Sequence, residues 1–169
     1  MVGPGRQERS WIRGARAGSV SDLEALFREH WPRAHRAAYL VVQDAAAAED
    51  IAQEAFLSAL RNLDRFDRRR PFGPWLHRIV VNRAIDWSRA RRLRAEQELG
   101  APGGVDPEPG DAAGLAGAIA ALPPEQRAVI VLRHLLGYTP GEIASLLELP
   151  RGTVNSRLRR GLDALQEHV

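Results

Sequence analysis

Apolar residues recur at three- and four-residue spacings along most of the chain, the signature of amphipathic helices. Leu23, Leu26, Phe27, His30, Trp31 and Ala34 form one such stripe. Ahead of it Ser21-Asp22-Leu23-Glu24 fits a capping box, with Ser21 bonding the first free amides and Glu24 reaching back. Pro32 falls inside the pattern and should kink or split the helix. A shorter helix, Glu8–Arg16, is expected before it, ended near Gly18. Ala52, Ala55, Phe56, Ala59, Leu60 and Leu63 mark the buried side of a third helix, from about Ala45 to Arg65. Asp67–Phe72 reads as a charged loop. Pro74 suits the first position of a fourth helix reaching about Arg94.

Composition then shifts. Residues 95–114 hold five glycines, three prolines and five acidic residues with no arginine, which predicts a flexible linker. Beyond it a short helix, Leu115–Leu122, precedes another that opens at Pro124 and reaches about His134. Thr139-Pro140-Gly141-Glu142 repeats the capping-box pattern and starts a helix of about Pro140 to Leu147. Leu149-Pro150 breaks the chain before a last helix, about Arg151 to Gln166. The expected fold is all-α: two small helical domains, residues 1–94 and 115–169, joined by the linker at 95–114. Ala, Leu and Arg dominate and β-branched runs are scarce, which supports this class.

Charge sharpens the picture more than its total does. The net charge is only +3, but all 24 basic residues are arginine. Guanidinium forks onto phosphate and onto guanine edges, so this bias suits a nucleic-acid binder. Asp44–Glu54 carries four acids and no base, whereas Arg65–Arg94 carries ten arginines against Asp67 and Asp86. A solvated face ordinarily mixes signs, so this segregation points to partners of opposite charge. With no cysteine, disulfides, thiolate zinc sites and a cysteine nucleophile are excluded together. No stretch approaches the roughly 18 apolar residues of a membrane span, and Met1–Arg16 lacks a signal-peptide core, so the chain is read as cytoplasmic.

Two helices separated by about three residues, Gly137–Leu165, have the layout of a helix-turn-helix, whose second helix enters the major groove. On a helical wheel Val154, Leu158, Leu162 and Leu165 form the apolar stripe of that second helix. Opposite lie Gly152, Asn155, Ser156, Arg159 and Arg160, with Arg151 and Arg157 at the edges. Asparagine pairs two-handed with adenine and arginine with guanine, while flanking arginines grip phosphate. An arginine-rich solvated helix is the plainer reading of the same residues.

These residues also resemble a family. Leu122-Pro123-Pro124-Glu125-Gln126-Arg127, Leu132-Arg133, Gly137-Tyr138, Glu142-Ile143-Ala144 and Gly152-Thr153-Val154-Asn155-Ser156-Arg157-Leu158 are similar to region four of sigma-70 factors, closest to the extracytoplasmic-function group. Gly141 departs from the bulkier residue common there. The resemblance implies −35 promoter contacts from Arg151, Thr153, Asn155, Ser156, Arg157, Arg159 and Arg160, and contact with the β flap of RNA polymerase. Asp50-Ile51-Ala52-Gln53-Glu54-Ala55-Phe56 resembles the segment that docks on the β′ clamp, which implies polymerase-binding roles for Asp50, Gln53 and Glu54. Helix capping and solubility explain the same acids without a partner.

The run Phe72–Asp86 resembles the segments that melt and read the −10 element. On the wheel Leu76, Ile79, Val80, Arg83 and Trp87 face inward, and Trp75, Arg78, Asn82, Ile85, Asp86 and Arg89 face the other way. A face mixing an aromatic, cations and an amide suits single-stranded DNA. By the family's pattern the loop Phe66–Gly73 shapes a pocket for a flipped base, with Phe66 and Asn82 contributing. Arg70, Trp75, Arg78, Asp86 and Arg89 complete the implied −10 set, with Trp75 equally readable as core. The resemblance covers about Leu23–Arg94 and Leu115–Leu165, and it implies core polymerase, promoter DNA and an anti-sigma factor as partners. No cofactor or metal is expected.

Two other classes compete. A one-component helix-turn-helix regulator shares the C-terminal half, but the basic block and acidic linker suggest no ligand pocket. An enzyme finds little support, since His30 and His35 are five apart without acidic residues arranged as metal ligands, His77, His134 and His168 stand alone, and no phosphate-binding or nucleophile motif occurs.

Overall fold

The computed structural model describes residues 5–99 and 114–167. Among them there are eight α-helices and no strand, in agreement with the all-α expectation. Residues 100–113, the greater part of the expected linker, lie outside the described residues.

Helix α1 (Arg6–Arg16) ends where Gly18 adopts φ +87°, a conformation costly for a side-chain-bearing residue. Helix α2 (Val20–Val42) follows at once, and Ser19, not Ser21, is its cap: the Ser19 Oγ accepts from Asp22 N at 3.3 Å. The left-handed glycine brings the chain round two residues too early for Ser21 to serve, and that hydroxyl lies in the first turn, 3.2 Å from the Ser19 Oγ. The corner is tight, since a Cβ at Gly14 would run into the Asp22 carboxylate. Pro32 does not split α2, which stays helical through to Val42.

Helix α3 (Ala45–Arg61) is capped by Asp44, whose Oδ1 accepts from Ala47 N at 2.9 Å, and a 3-10 turn (Leu63–Arg65) finishes the segment. Helix α4 spans Phe72–Leu99, so it starts before Pro74 and runs five residues into the stretch expected to be linker. Ala95-Glu96-Gln97-Glu98 are all good helix formers, a local preference hidden by the average composition of the longer segment. Arg92 Nε donates to Glu96 Oε1 at 3.1 Å and supports the extension.

In the C-terminal part, α5 (Leu115–Ala121) is followed by α6 (Pro124–Ile130), which widens into a π-helical turn, Val131–Leu135. Helices α7 (Pro140–Leu147) and α8 (Arg151–Glu167) close the chain. The capping box at α7 is complete: Glu142 N donates to Thr139 Oγ1 at 3.3 Å and Thr139 N to Glu142 Oε2 at 2.8 Å. Helix α8 buries Val154, Leu158, Gly161 and Leu165, while Leu162 is 40% exposed, contrary to the wheel. The buried stripe advances by four, three and four residues, and at Gly161 the helix lies so close to Ile130 that a Cβ would meet Ile130 Cγ1 at 3.1 Å.

Helices α1–α4 pack into one bundle around α2, and α5–α8 into a second group around α8. The two meet along a seam in which α4 packs on α6 and α7, and their buried apolar residues join in one cluster. At its centre the π-helical turn delivers a buried Tyr138, whose hydroxyl lies 2.7 Å from His77 Nδ1. Burial, with His30 and Arg33 nearby, lowers the His77 pKa to about 4, so the imidazole is neutral at physiological pH. Outside this buried pair, Arg78 Nη2 donates to Glu148 Oε1 and Arg89 Nε to Glu125 Oε1, each at 2.6 Å.

Candidate nucleic-acid interface

Three surfaces carry the residues singled out from the sequence. The first is the outward face of α3. Asp50, Gln53 and Glu54 are all exposed, because Ile51, Ala52, Ala55 and Phe56 turn inward against α2. Gln53 Nε2 donates to Glu49 Oε1 at 2.9 Å, and Glu54 Oε1 lies 3.6 Å from Arg61 and 3.9 Å from Arg83. Both ion pairs are long and solvated and leave the carboxylate available.

Beside this acidic patch lies an open, mostly apolar groove lined by Leu23, Phe27, Gln53, Phe56, Leu57 and Leu60, with a volume of about 510 Å³. Phe27 is 42% exposed and Leu57 47% exposed, so neither belongs to the interior in the way the α2 stripe implied for Phe27. Sequence reasoning missed this groove. The available signal was Leu57, which widens the apolar arc of α3 beyond the stripe that runs from Ala52 to Leu63.

The second surface is formed by α4 and the loop before it. Phe66 is buried, with its ring stacked on Trp75 at 4.7 Å, and Trp75 is only half-exposed. The two aromatics thus form part of the bundle's packing, and only the outer side of Trp75 remains accessible. Asn82 is half-buried, while Arg70, Arg78, Asp86 and Arg89 are exposed along the same side. Ile85, placed on this outer face by the wheel, is buried instead, and Arg83 stays half-exposed near Glu54. Ile85 lies on the same side of α4 as Arg78 and Arg89, whose partners Glu148 and Glu125 belong to the C-terminal group, so that group meets a part of the α4 circumference that an isolated helix would expose. Asp67 orders the loop: its Oδ1 accepts from the Arg69 amide and from Arg69 Nε, each at 3.0 Å. Those bonds to Arg69 hold the Asp67 carboxyl below its ordinary pKa.

The third surface is α8. Glu148 takes the left-handed conformation, φ 55°, and three residues separate α7 from α8. Past that turn Arg151, Asn155, Arg159 and Arg160 are exposed, and Thr153, Ser156 and Arg157 are half-exposed. The bases and amides therefore share the outer side of a helix whose inner side is fixed by Val154 and Leu158. This is the geometry of a helix presented to a groove. Among the described residues no group of acidic or histidine side chains could hold a metal ion, and no helix is long and apolar enough to cross a membrane.

Comparison with known proteins gives these surfaces a context. The family model for Sigma-70 region 2 matches residues 26–94, and that for Sigma-70, region 4 matches residues 114–165. The ECF RNA polymerase sigma factor SigW of Bacillus subtilis is 33% identical over 89% of this chain and 89% of its own length. SigE of Mycolicibacterium smegmatis, also an ECF RNA polymerase sigma factor, is 34% identical over 89% of this chain and 63% of its own length. Among solved structures, CnrH in complex with the cytosolic domain of CnrY superposes with a TM-score of 0.70 at 28% identity, covering 95% of this chain and 96% of that one. RpoE of Bartonella quintana, solved with the anti-sigma factor NepR, gives a TM-score of 0.70 at 23% identity over 88% of this chain and 96% of that one, a likeness of fold. The chain belongs to the extracytoplasmic-function group of sigma-70 factors, the proteins that direct bacterial RNA polymerase to promoters.

Proposed function

We propose that this sigma factor divides its work among the three surfaces described above. Asp50, Gln53 and Glu54, with the apolar groove beside them, dock on the β′ clamp of core polymerase. The α4 face captures unstacked bases of the −10 element, and α8 reads the −35 element in the major groove. The observation that carries this reading is the sorting on α8: every cation proposed for DNA lies outside the apolar stripe that anchors the helix. The chain acts in the cytoplasm with the polymerase, and nucleotide chemistry belongs to the polymerase alone. An anti-sigma factor is a further partner on this reading, by analogy with the complex of RpoE and NepR.

Run-off transcription on a genomic fragment library, with core polymerase and with or without the protein, tests the whole proposal. New start sites should appear only with the protein present. A one-component regulator would instead bind duplex DNA tightly without polymerase, and that result would displace the sigma-factor reading.

Within α8 the roles of reader and anchor separate. Arg159→Ala should weaken −35 binding by about 1–3 kcal/mol and relax preference at one base position. Arg151→Ala, at the start of the helix, should weaken binding to all sequences alike and reduce the salt slope. Equal effects of the two variants on every sequence would remove the distinction.

On α4, Asn82→Ala should leave core binding and closed complexes intact but impair promoter opening, because only there does an extruded base enter the pocket. A template pre-melted across the −10 element already bears the unstacking cost of a few kcal/mol. It should restore opening but not base selection, which permanganate footprinting on duplex and bubble templates would distinguish. Wild-type melting and selection by Asn82→Ala would move the pocket elsewhere.

A further inference from the structure

Helix α1 lies ahead of the stretch matched by the region 2 model, which begins at residue 26, and nothing so far gives it a task. Its two partly buried polar side chains both reach the ends of one loop. Arg16 Nε and Nη2 donate to Leu63 O at 2.9 and 2.6 Å, and Nη2 also donates to Phe66 O at 2.6 Å and to Asp64 O at 3.3 Å. These carbonyls lie where the 3-10 turn ends and the loop begins, and Leu63 O also accepts from Phe66 N at 3.2 Å. A planar guanidinium meets several of them at once with a rigid fork of donors, which a single ammonium centre matches less well.

At the other end of the same loop Glu8 Oε2 accepts from the backbone N of Phe72, the first residue of α4, at 3.3 Å. Its other oxygen accepts from His30 Nε2 at 2.9 Å. Burial would raise the Glu8 pKa, but the bonds from His30 and Phe72 outweigh it and leave the carboxylate ionised. Glu8 thus caps α4 from a different helix. Between the two anchors the loop is held internally by Asp67 and Arg69. The two anchors lie two turns apart on α1, and Ile12, fully buried between them, fixes their spacing on the bundle.

We propose that α1 is a positioning helix for promoter recognition: Arg16 and Glu8 clamp the two ends of the Phe66–Phe72 loop and thereby set the shape in which it selects the −10 base. This rests on the proposed role of that loop and the α4 face. Arg16 and Glu8 touch no DNA; they act through the backbone of the loop. Loss of either frees one end, so the pocket samples several shapes and discriminates less, while the docking face of α3 and the reading face of α8 are unaffected.

The test uses the full chain with core polymerase and one promoter found by run-off transcription, varied one base at a time across the −10 element. The readout is the ratio of open-complex formation on the best and worst bases, together with core affinity and melting temperature. Arg16→Ala should lower the ratio on the order of tenfold, as expected for losing a charge-assisted hydrogen-bond set, with core affinity unchanged. Glu8→Ala should lower it less, and Arg16→Lys should recover part of the loss. Ile12→Val loosens the packing of the same helix while leaving both clamps in place, and should keep the wild-type ratio. If Ile12→Val relaxes discrimination as much as Arg16→Ala, α1 acts through stability alone and the proposal is overturned. If Asn82→Ala lowers the ratio and Arg16→Ala does not, the pocket stands and the clamp is wrong. If neither lowers it, the −10 assignment itself fails and the proposal with it.

Discussion

Replacing both Asp50 and Glu54 by arginine should abolish co-elution with core polymerase while leaving the helical circular-dichroism signal unchanged. Both side chains are solvated and make no bond that the bundle needs, so the fold tolerates the change. The partner, by contrast, would meet two cations where it met two anions. Breaking close charge pairs at an interface typically weakens binding by about 2–5 kcal/mol, and reversal adds repulsion. A loss of at least about a hundredfold in affinity is therefore expected. The neutral pair Asp50→Asn and Glu54→Gln should fall between the double reversal and the wild type. Gel filtration with purified core enzyme decides the matter, and wild-type affinity in the double arginine variant would remove α3 as the docking face.

Phe72→Ala should be among the most destabilising single substitutions in the chain. The ring is fully buried at the junction of α1, α2, α3 and α4, with centroids 5.0 Å from His30, 6.0 Å from Phe56, 5.9 Å from Phe66 and 5.8 Å from Trp75. Truncating a buried phenylalanine costs about 3–5 kcal/mol, which for a chain of this size lowers the melting temperature by roughly 6–20 °C. Tyr39→Ala, at a side chain 42% exposed, should shift it by less than about 2 °C. A melting curve for Phe72→Ala within a degree or two of wild type would show that the aromatic cluster is not the centre of the bundle.

Phe72 also marks where reading from the sequence stops. Placed at the end of a charged, arginine-rich loop, it gives no periodic signal, because its ring partners His30, Phe56 and Phe66 lie on α2, α3 and the loop, and only Trp75 shares its helix. The same limit applies to Arg16 and Glu8, whose partners are 22 to 64 residues away. What was legible was local. The Thr139 capping box, the three-residue turn before α8 and the exposed acids of α3 follow from spacing and side-chain chemistry within a few residues. Ser19 was missed in favour of Ser21 because two serines two apart make equally good caps, and only the left-handed Gly18 chooses between them. Leu162 and Ile85 were misplaced by the wheel, which assumes a uniform neighbour on each side. The close approach of α8 to Ile130 and the covering of α4 by the C-terminal group break that assumption. The groove at Phe27 and Leu57 was invisible for a related reason: a helical stripe records which residues are apolar, not which of them find a partner.

The seam between the two halves has a consequence for equilibrium. On the proposed −10 role of α4, Arg78 and Arg89 must exchange Glu148 and Glu125 for DNA phosphate. Closing the seam and engaging promoter DNA through the α4 face are therefore competing reactions of one surface. The apparent affinity of that face equals its intrinsic affinity multiplied by the fraction of molecules whose seam is open. The two ion pairs are exposed and weak, and salt screens them further. The buried His77–Tyr138 hydrogen bond and the shared apolar cluster contribute most of the closure, and these respond little to salt. A seam that is favourable by about 3 kcal/mol leaves fewer than roughly one molecule in a hundred open. Any partner that holds the two halves apart then raises promoter affinity without touching a base.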